Sequence, residues 1–304
     1  MTEPRSADDD GASVLPQVPA SARVNLGGAC WWCGSVADSG EHKFKRSDLV
    51  RAFGAGVWTG SDAVSHGSGG RASPVKSSRA DRLKFPKVMC QNCNNARSQA
   101  MDAAYDTFSA YIANNEEQIL RDARFQWSDI FTGDWKSGRE EVARYWVKHI
   151  CTRLATEGVS ISAEVIEFLD GVRDSPTHLE MELGIRLDIV ELAKHLRTVH
   201  GEEFGESFWM GDVTCYYDPD RNVVEAAWSH WGLLWLRLEY VYRLDDSSSR
   251  LNFWRKKVGL PRGVLRGSVR HSRSMRRLQS EVVAHRAAPV PVSARLDRGS
   301  RWAH

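Results

Sequence analysis

No uninterrupted apolar run of the ~20 residues needed to cross a membrane occurs in this sequence. The most apolar stretch, around Trp228 to Tyr242, is broken by His230, Arg237 and Glu239. The first 20 residues carry Asp8, Asp9 and Asp10 and no apolar centre, which excludes a secretory leader there. Cysteine is sparse, with six in 304 residues. These absences point to the cytoplasm, where the thiols are not expected to pair as disulfides. An excess of one charge is also missing, because 41 Lys plus Arg face 39 Asp plus Glu, a formal net charge of +2. With 42% hydrophobic and 26% charged residues, the composition is neither that of an acidic disordered polymer nor that of a membrane protein.

The small net charge conceals blocks of opposite sign. Residues 1–20 carry one basic and four acidic side chains (−3), and residues 21–105 carry 12 basic and 6 acidic (+6). Residues 106–249 hold 14 basic against 27 acidic (−13), and the last 55 residues hold 14 basic against 2 acidic (+12). A basic front and a strongly basic tail suggest contact with a polyanion, while the plainer alternative is a solvated tail or one paired with the acidic middle. The length suits roughly two domains at ~100–200 residues each. The expected division is a disordered segment over 1–22, a small module over 23–120, an acidic α+β domain over 121–249, and a partly disordered Arg-rich tail over 250–304.

Four cysteines fall into two pairs, Cys30-Trp31-Trp32-Cys33 and Cys90-Gln91-Asn92-Cys93. A C-x-x-C turn presents two thiolates to one tetrahedral ion, and two such turns complete a closed structural zinc site. The 56 residues between Cys33 and Cys90 mean that this site closes a sizeable loop. Cys151 and Cys215 sit in apolar patterns and are expected to pack as small hydrophobes.

Between the pairs, Glu41 directly precedes His42, a carboxylate suited to a hard cation beside an imidazole able to take a proton from water. A bare Glu-His dipeptide is ordinarily surface decoration, and its place between two zinc knuckles is what singles it out. After the second pair, Met101, Tyr105, Phe108, Ile112 and Ile119 recur at helical spacing, which puts Asn94 at or near the start of a long helix with Arg97 one turn on. Asparagine there is also a favourable helix cap.

These pieces, Cys30-x-x-Cys33, Glu41-His42 and Cys90-x-x-Cys93-Asn94 with Arg97, resemble the HNH endonucleases and their ββα-metal fold, in the version braced by two C-x-x-C knuckles. The resemblance covers roughly residues 26–110. It implies His42 as general base, Glu41 and Asn94 as ligands of one catalytic divalent cation (Mg²⁺ or Mn²⁺), and Arg97 against a phosphate. It also implies Lys43 and Lys45 near the nucleic-acid backbone and Asp102 as a weaker supporting ligand. The reaction implied is hydrolysis or nicking of DNA, single- or double-stranded, leaving a 5′ phosphate and a 3′ hydroxyl, with the four-cysteine zinc outside the chemistry. Two departures stand out. The stretch before the second knuckle, Ser77 to Phe85, lacks the asparagine that orients the histidine in that family, and no proline follows His42 closely.

Residues 59–80 contain four Gly and six Ser with Arg71, Lys76 and Arg79, a basic loop able to close over a nucleic-acid backbone or a tolerated insertion. Further on, Val142, Tyr145, Trp146, Ile150 and Leu154 predict one helix, and Met181, Leu187, Val190, Leu192 and Leu196 a second. Strand signals run over Phe208 to Tyr217 and Leu234 to Tyr242, around an Asp218-Pro219-Asp220 turn. His149 and His195 read as surface or core histidines. The acidic middle suits a protein partner better than a nucleic acid, and the tail, with Arg255, Lys256 and Lys257, suits nucleic acid. The sequence thus predicts an α+β protein that is a zinc-braced nuclease. The competing expectations are a non-catalytic zinc-braced nucleic-acid-binding or adaptor protein, and a regulatory protein whose acidic domain binds a partner.

Overall fold

The computed structural model describes residues 18–59, 64–68, 71–201 and 208–263. At its front, residues 39–43 run antiparallel to residues 83–89. Ser39 N–H donates to the Met89 carbonyl (3.0 Å), Phe85 N–H to the Glu41 carbonyl (2.8 Å) and Lys43 N–H to the Leu83 carbonyl (2.8 Å). Gly40 lets the two arms approach, since a Cβ there would come within 3.0 Å of the Phe85 carbonyl oxygen. Helix α1 (Arg46–Phe53) and a hairpin of β1 (Val64–Ser68) and β2 (Arg71–Val75) fill the interval between the arms, with Val64 opposite Val75. Much of the expected Gly/Ser-rich loop is therefore a hairpin.

Beyond the second arm come α2 (Gln91–Asn94), α3 (Gln99–Asn114) and α4 (Glu116–Asp122). Met101, Tyr105, Phe108 and Ile112 form the buried stripe that the helical spacing predicts. The expected single helix is interrupted at both ends. Asn94 closes the short α2 rather than opening α3, and Asn115 ends α3, its Nδ2 donating to the Tyr111 carbonyl (2.8 Å).

Strand β3 (Arg124–Gln126) and the single turn α5 (Trp127–Ile130) lead into α6 (Trp135–Thr156), capped by Asp134, whose carboxylate accepts from Ser137 N–H (3.2 Å). Helix α6 packs against α3 and is buried on most of its circumference, with Trp146, Val147, Ile150, Cys151 and Leu154 all at 1% exposure or less. After α7 (Ala163–Leu169) comes β4 (Leu179–Arg186), then α8 (Leu187–His200). Met181 thus belongs to a strand, not to the helix expected to include it. Leu179, Met181, Leu183 and Ile185 are buried at period two, and helical structure starts only at Leu187.

The remaining strands are β5 (Phe208–Met210), β6 (Thr214–Asp218), β7 (Val223–Leu233), β8 (Leu236–Arg243), β9 (Arg250–Leu251), β10 (Lys257–Gly259) and β11 (Arg262–Gly263). They build a mostly antiparallel sheet in the order β11-β4-β8-β7-β5, with β6 paired to β7 and β9 to β4, while β10 pairs with β3. The strand signal over Phe208 to Tyr217 resolves into two separate partners of β7. One face of β8 sends Leu236, Leu238, Tyr240 and Tyr242 into the core. The other carries Arg237, held by Glu182 (3.0 Å) and Glu239 (3.2 Å), and Arg243, held by Glu180 (3.4 Å). Part of the acidic charge of the middle segment is therefore neutralised internally.

Residues Val18–Val264 form one compact unit. The expected boundary between residues 120 and 121 runs through a single core to which Phe108 on α3, Phe125 on β3 and Trp146 on α6 all belong. The segment Arg250–Gly263, counted with the tail in the sequence, is part of the fold. Phe253 and Val258 are fully buried, and Arg255, Lys256 and Lys257 are exposed on the approach to and start of β10. The remainder of the tail lies outside the described residues.

Candidate active site and metal centre

Each knuckle is shaped by its own backbone. In the first, Gly34 N–H donates to the Cys30 carbonyl (2.8 Å) and Cys30 N–H to the Ser35 carbonyl (2.6 Å), and Gly34 takes φ 76°, a left-handed conformation that glycine adopts without strain. In the second, Cys90 precedes α2 and its sulfur accepts from Cys93 N–H (3.4 Å). The ligating atoms of Cys30, Cys33, Cys90 and Cys93 all lie within 4.8 Å of one another, and Cys33 Sγ is 3.6 Å from Cys90 Sγ. A zinc tetrahedron with Zn–S near 2.3 Å has edges of about 3.8 Å, so four sulfurs in this arrangement suit a tetrahedral metal. Hydrogen bonds from Ser35 pull the Cys33 thiol down to about 6, whereas burial pushes Cys93 up.

Arg97 is built into this centre. Its guanidinium donates to Cys93 Sγ (3.6 Å), pairs with Asp170 (2.5 Å) and stacks 4.6 Å over Trp32, whose Nε1 donates to the same Asp170 (3.0 Å). Asp170, distant in sequence, and Trp32 thus hold the guanidinium of Arg97 at the knuckle, against the Cys93 sulfur.

Glu41 and His42 are consecutive in an extended arm, so their side chains leave on opposite faces. Glu41 points inward and is 7% exposed. Its carboxylate lies 3.4 Å from Lys148 Nζ, and Lys148, on α6, is fully buried. The same ammonium reaches Asp102 (3.2 Å) and Ser98 Oγ (3.3 Å), while Lys45 reaches Asp102 at 2.6 Å. Burial raises the Glu41 carboxyl. Burial would raise Asp102 as well, but Lys148 and Lys45 outweigh it and hold that carboxyl below its usual range. Two carboxylates thus converge on one point, which an ammonium fills.

His42 lies on the other face. Burial lowers its imidazole to about 4, with Lys84, Arg46 and Lys45 adding to the effect, so it is neutral at pH 7 among cations. Its Nδ1 is buried with no hydrogen-bond partner among the described residues, in keeping with the missing orienting asparagine. Asn94 is tied to the strand arm by its Nδ2, which donates to Ser39 Oγ (2.9 Å), and its Oδ1 is buried without a donor among the described residues. Along the arm, Asn94 thus faces Ser39, and Asp102 is the residue linked to Glu41. The chain matches no protein-family model, no curated protein and no solved structure.

Sequence reasoning missed Lys148 because α6 is buried almost all round, so no solvent face exists against which a lysine stands out. His149 next to it is a core residue. Its Nε2 meets the Lys43 carbonyl (2.9 Å), as does Trp231 Nε1 (3.2 Å), and the two side chains fix the chain immediately after His42. Arg46 and Lys84 were also missed, and their only signal was proximity in sequence to His42 and to the second arm.

Proposed function

We propose that the protein is a cytoplasmic, HNH-type, metal-dependent endonuclease or nickase that hydrolyses DNA phosphodiester bonds. The observation that carries this reading is the Glu41-His42 pair on an antiparallel arm, braced at its base by a four-cysteine cluster and backed by a helix carrying Asp102. His42, neutral at pH 7, accepts the proton of an attacking water through its imidazole. Lys84 and Arg46, beside His42, hold the phosphate backbone by charge. Glu41 and Asp102 offer hard carboxylate oxygens around the point the Lys148 ammonium holds, and the buried, donorless Oδ1 of Asn94, beside Ser39, is a further acceptor. Mg²⁺ or Mn²⁺ bound there would offset the charge that builds on the leaving oxygen. The four cysteines would hold structural zinc.

The test is incubation of supercoiled plasmid and of single-stranded DNA with Mg²⁺ or Mn²⁺, with and without EDTA, beside His42→Ala. Cleavage that is abolished by EDTA and falls by at least a hundredfold in the variant is expected, and equal cleavage by both proteins would overturn the mechanism.

A second reading is favoured by the place of Lys148, whose ammonium already satisfies Glu41 and Asp102. In that case the protein is a non-catalytic zinc-braced nucleic-acid-binding or adaptor protein. DNA retarded in a gel but uncut in either metal would select it.

A further inference from the structure

On the inner side of α1 and the β1–β2 hairpin lies a cavity of about 520 Å³, inside the range of ~300–1,000 Å³ typical of small-molecule sites. Its wall includes Lys43, the residue after His42, and Arg153 of α6. Phe53 forms its apolar side, edge-on to Trp58 (5.6 Å, 72°) and to Phe208 (5.6 Å, 63°). His66 on β1 adds an imidazole to the wall.

Among the described residues, the two cations of this wall form no ion pair with its two acids, Glu157 and Asp212. Lys43 has no carboxylate within ion-pair distance among the described residues, while Arg153 donates to Ser229 Oγ (2.8 Å) and to the carbonyls of His230 and Gly211, all uncharged groups. The two acids on the wall lie elsewhere in the charge pattern. Glu157 pairs with Arg23 (3.6 Å), and Asp212 is exposed. Two cations outside any ion pair among the described residues, beside the aromatic cluster of Phe53, Trp58 and Phe208, are the complement of an anion joined to a flat ring.

We propose that this cavity is a nucleotide site, with the base against Phe53, Trp58 and Phe208 and the 5′ phosphate on Lys43 and Arg153. The shared chemistry is a base bearing a phosphate monoester or diester, supplied either by a free mononucleotide or by one unpaired nucleotide of a strand. In the second case the inference rests on the nuclease reading, with the nucleotide held by the arm that carries His42 but on its opposite face.

Calorimetric titration of the full chain, with its zinc and without added Mg²⁺ or Mn²⁺, tests it apart from cleavage, with dAMP, adenosine, ribose 5-phosphate and a single-stranded hexathymidylate as probes. Binding of dAMP or of the hexamer, weakened at least tenfold by Lys43→Met and by Phe53→Ser, is expected, and adenosine and ribose 5-phosphate should each bind at least tenfold more weakly than dAMP. Binding of the hexamer without dAMP, with the same sensitivity to both variants, assigns the site to strands. Absence of binding by both dAMP and the hexamer, or binding unchanged in both variants, overturns the site and leaves the plasmid assay free to decide on cleavage. Circular dichroism confirms that each variant is folded, and Lys43→Arg, which keeps the charge, should retain binding.

Discussion

A fully buried lysine between two carboxylates is a costly residue choice, and its removal is a direct probe of the site. Lys148→Met leaves Glu41 and Asp102 facing each other with Lys45 as the remaining close cation, and breaking a buried pair in this way typically costs about 3–5 kcal/mol. Urea unfolding should register a loss of that size, and Glu41→Gln in the same chain should recover part of it, whereas a loss below about 1 kcal/mol would be that of a solvated pair and would contradict so deep a burial. Two core histidines give a second prediction. Burial holds His149 at about 3 and His230 at about 4, both below the ordinary value of 6.5. Protons therefore bind the unfolded chain in preference. Stability from these groups is complete above pH ~6.5 and falls as the pH drops toward the folded values, by up to about 1.4 kcal/mol per pH unit for each. Unfolding midpoints at pH 7, 6 and 5 should decline in step, and a flat series would refute the assignment. At this scale the sequence was legible where chemistry is local, as in the cysteine pairs and Glu41-His42. It was silent where a partner arrives from far along the chain, as Lys148 does for Glu41 and Asp170 for Arg97.

Among the elements, the two short knuckles flank the ladder, with Cys30 and Cys33 before its first arm and Cys90 and Cys93 after its second. They fix the base of the ladder that holds Glu41 and His42, and they set the start of α2. A preparation of the protein should contain one zinc per chain by elemental analysis. Cys90→Ser or strong chelation should release it, lower the thermal midpoint by several degrees and speed amide exchange at Ser39, Lys43 and Phe85 first, because those amides close the ladder. A protein without zinc and with unchanged exchange would exclude the brace. Helices α3 and α6 were legible because a 3.6-residue stripe survives in each. Strand β4 was not, because its alternating residues run directly into the apolar start of α8 and the two periods blur at Leu187. The breaks at Asn94 and Asn115 were hidden for a related reason, since a chain that bends between two helical turns keeps its apolar spacing almost intact.

Over the whole molecule, the charge blocks divide differently from the sequence count. The part of the basic tail within the fold is anchored by Phe253 and Val258, and residues 264–304 carry nine arginines against Glu281 and Asp297. A chain ending at Gly263 should keep its thermal midpoint. It should also bind DNA with a shallower salt dependence, by about 0.9 in the log–log slope for each phosphate that the tail no longer neutralises, and an unchanged slope would remove the tail from the interface. The division into separate domains was misread because charge marks surfaces and says little of which apolar side chains meet inside. The ladder closes at Leu83 and Lys43, and everything threaded between those residues leaves and re-enters at the same doorway. Loop-closure entropy grows only by about 0.6 kcal/mol for each doubling of length. Added length in the stretch holding α1 and the hairpin therefore costs the scaffold little, provided that Leu49, Trp58 and Val75 stay seated in the shared core.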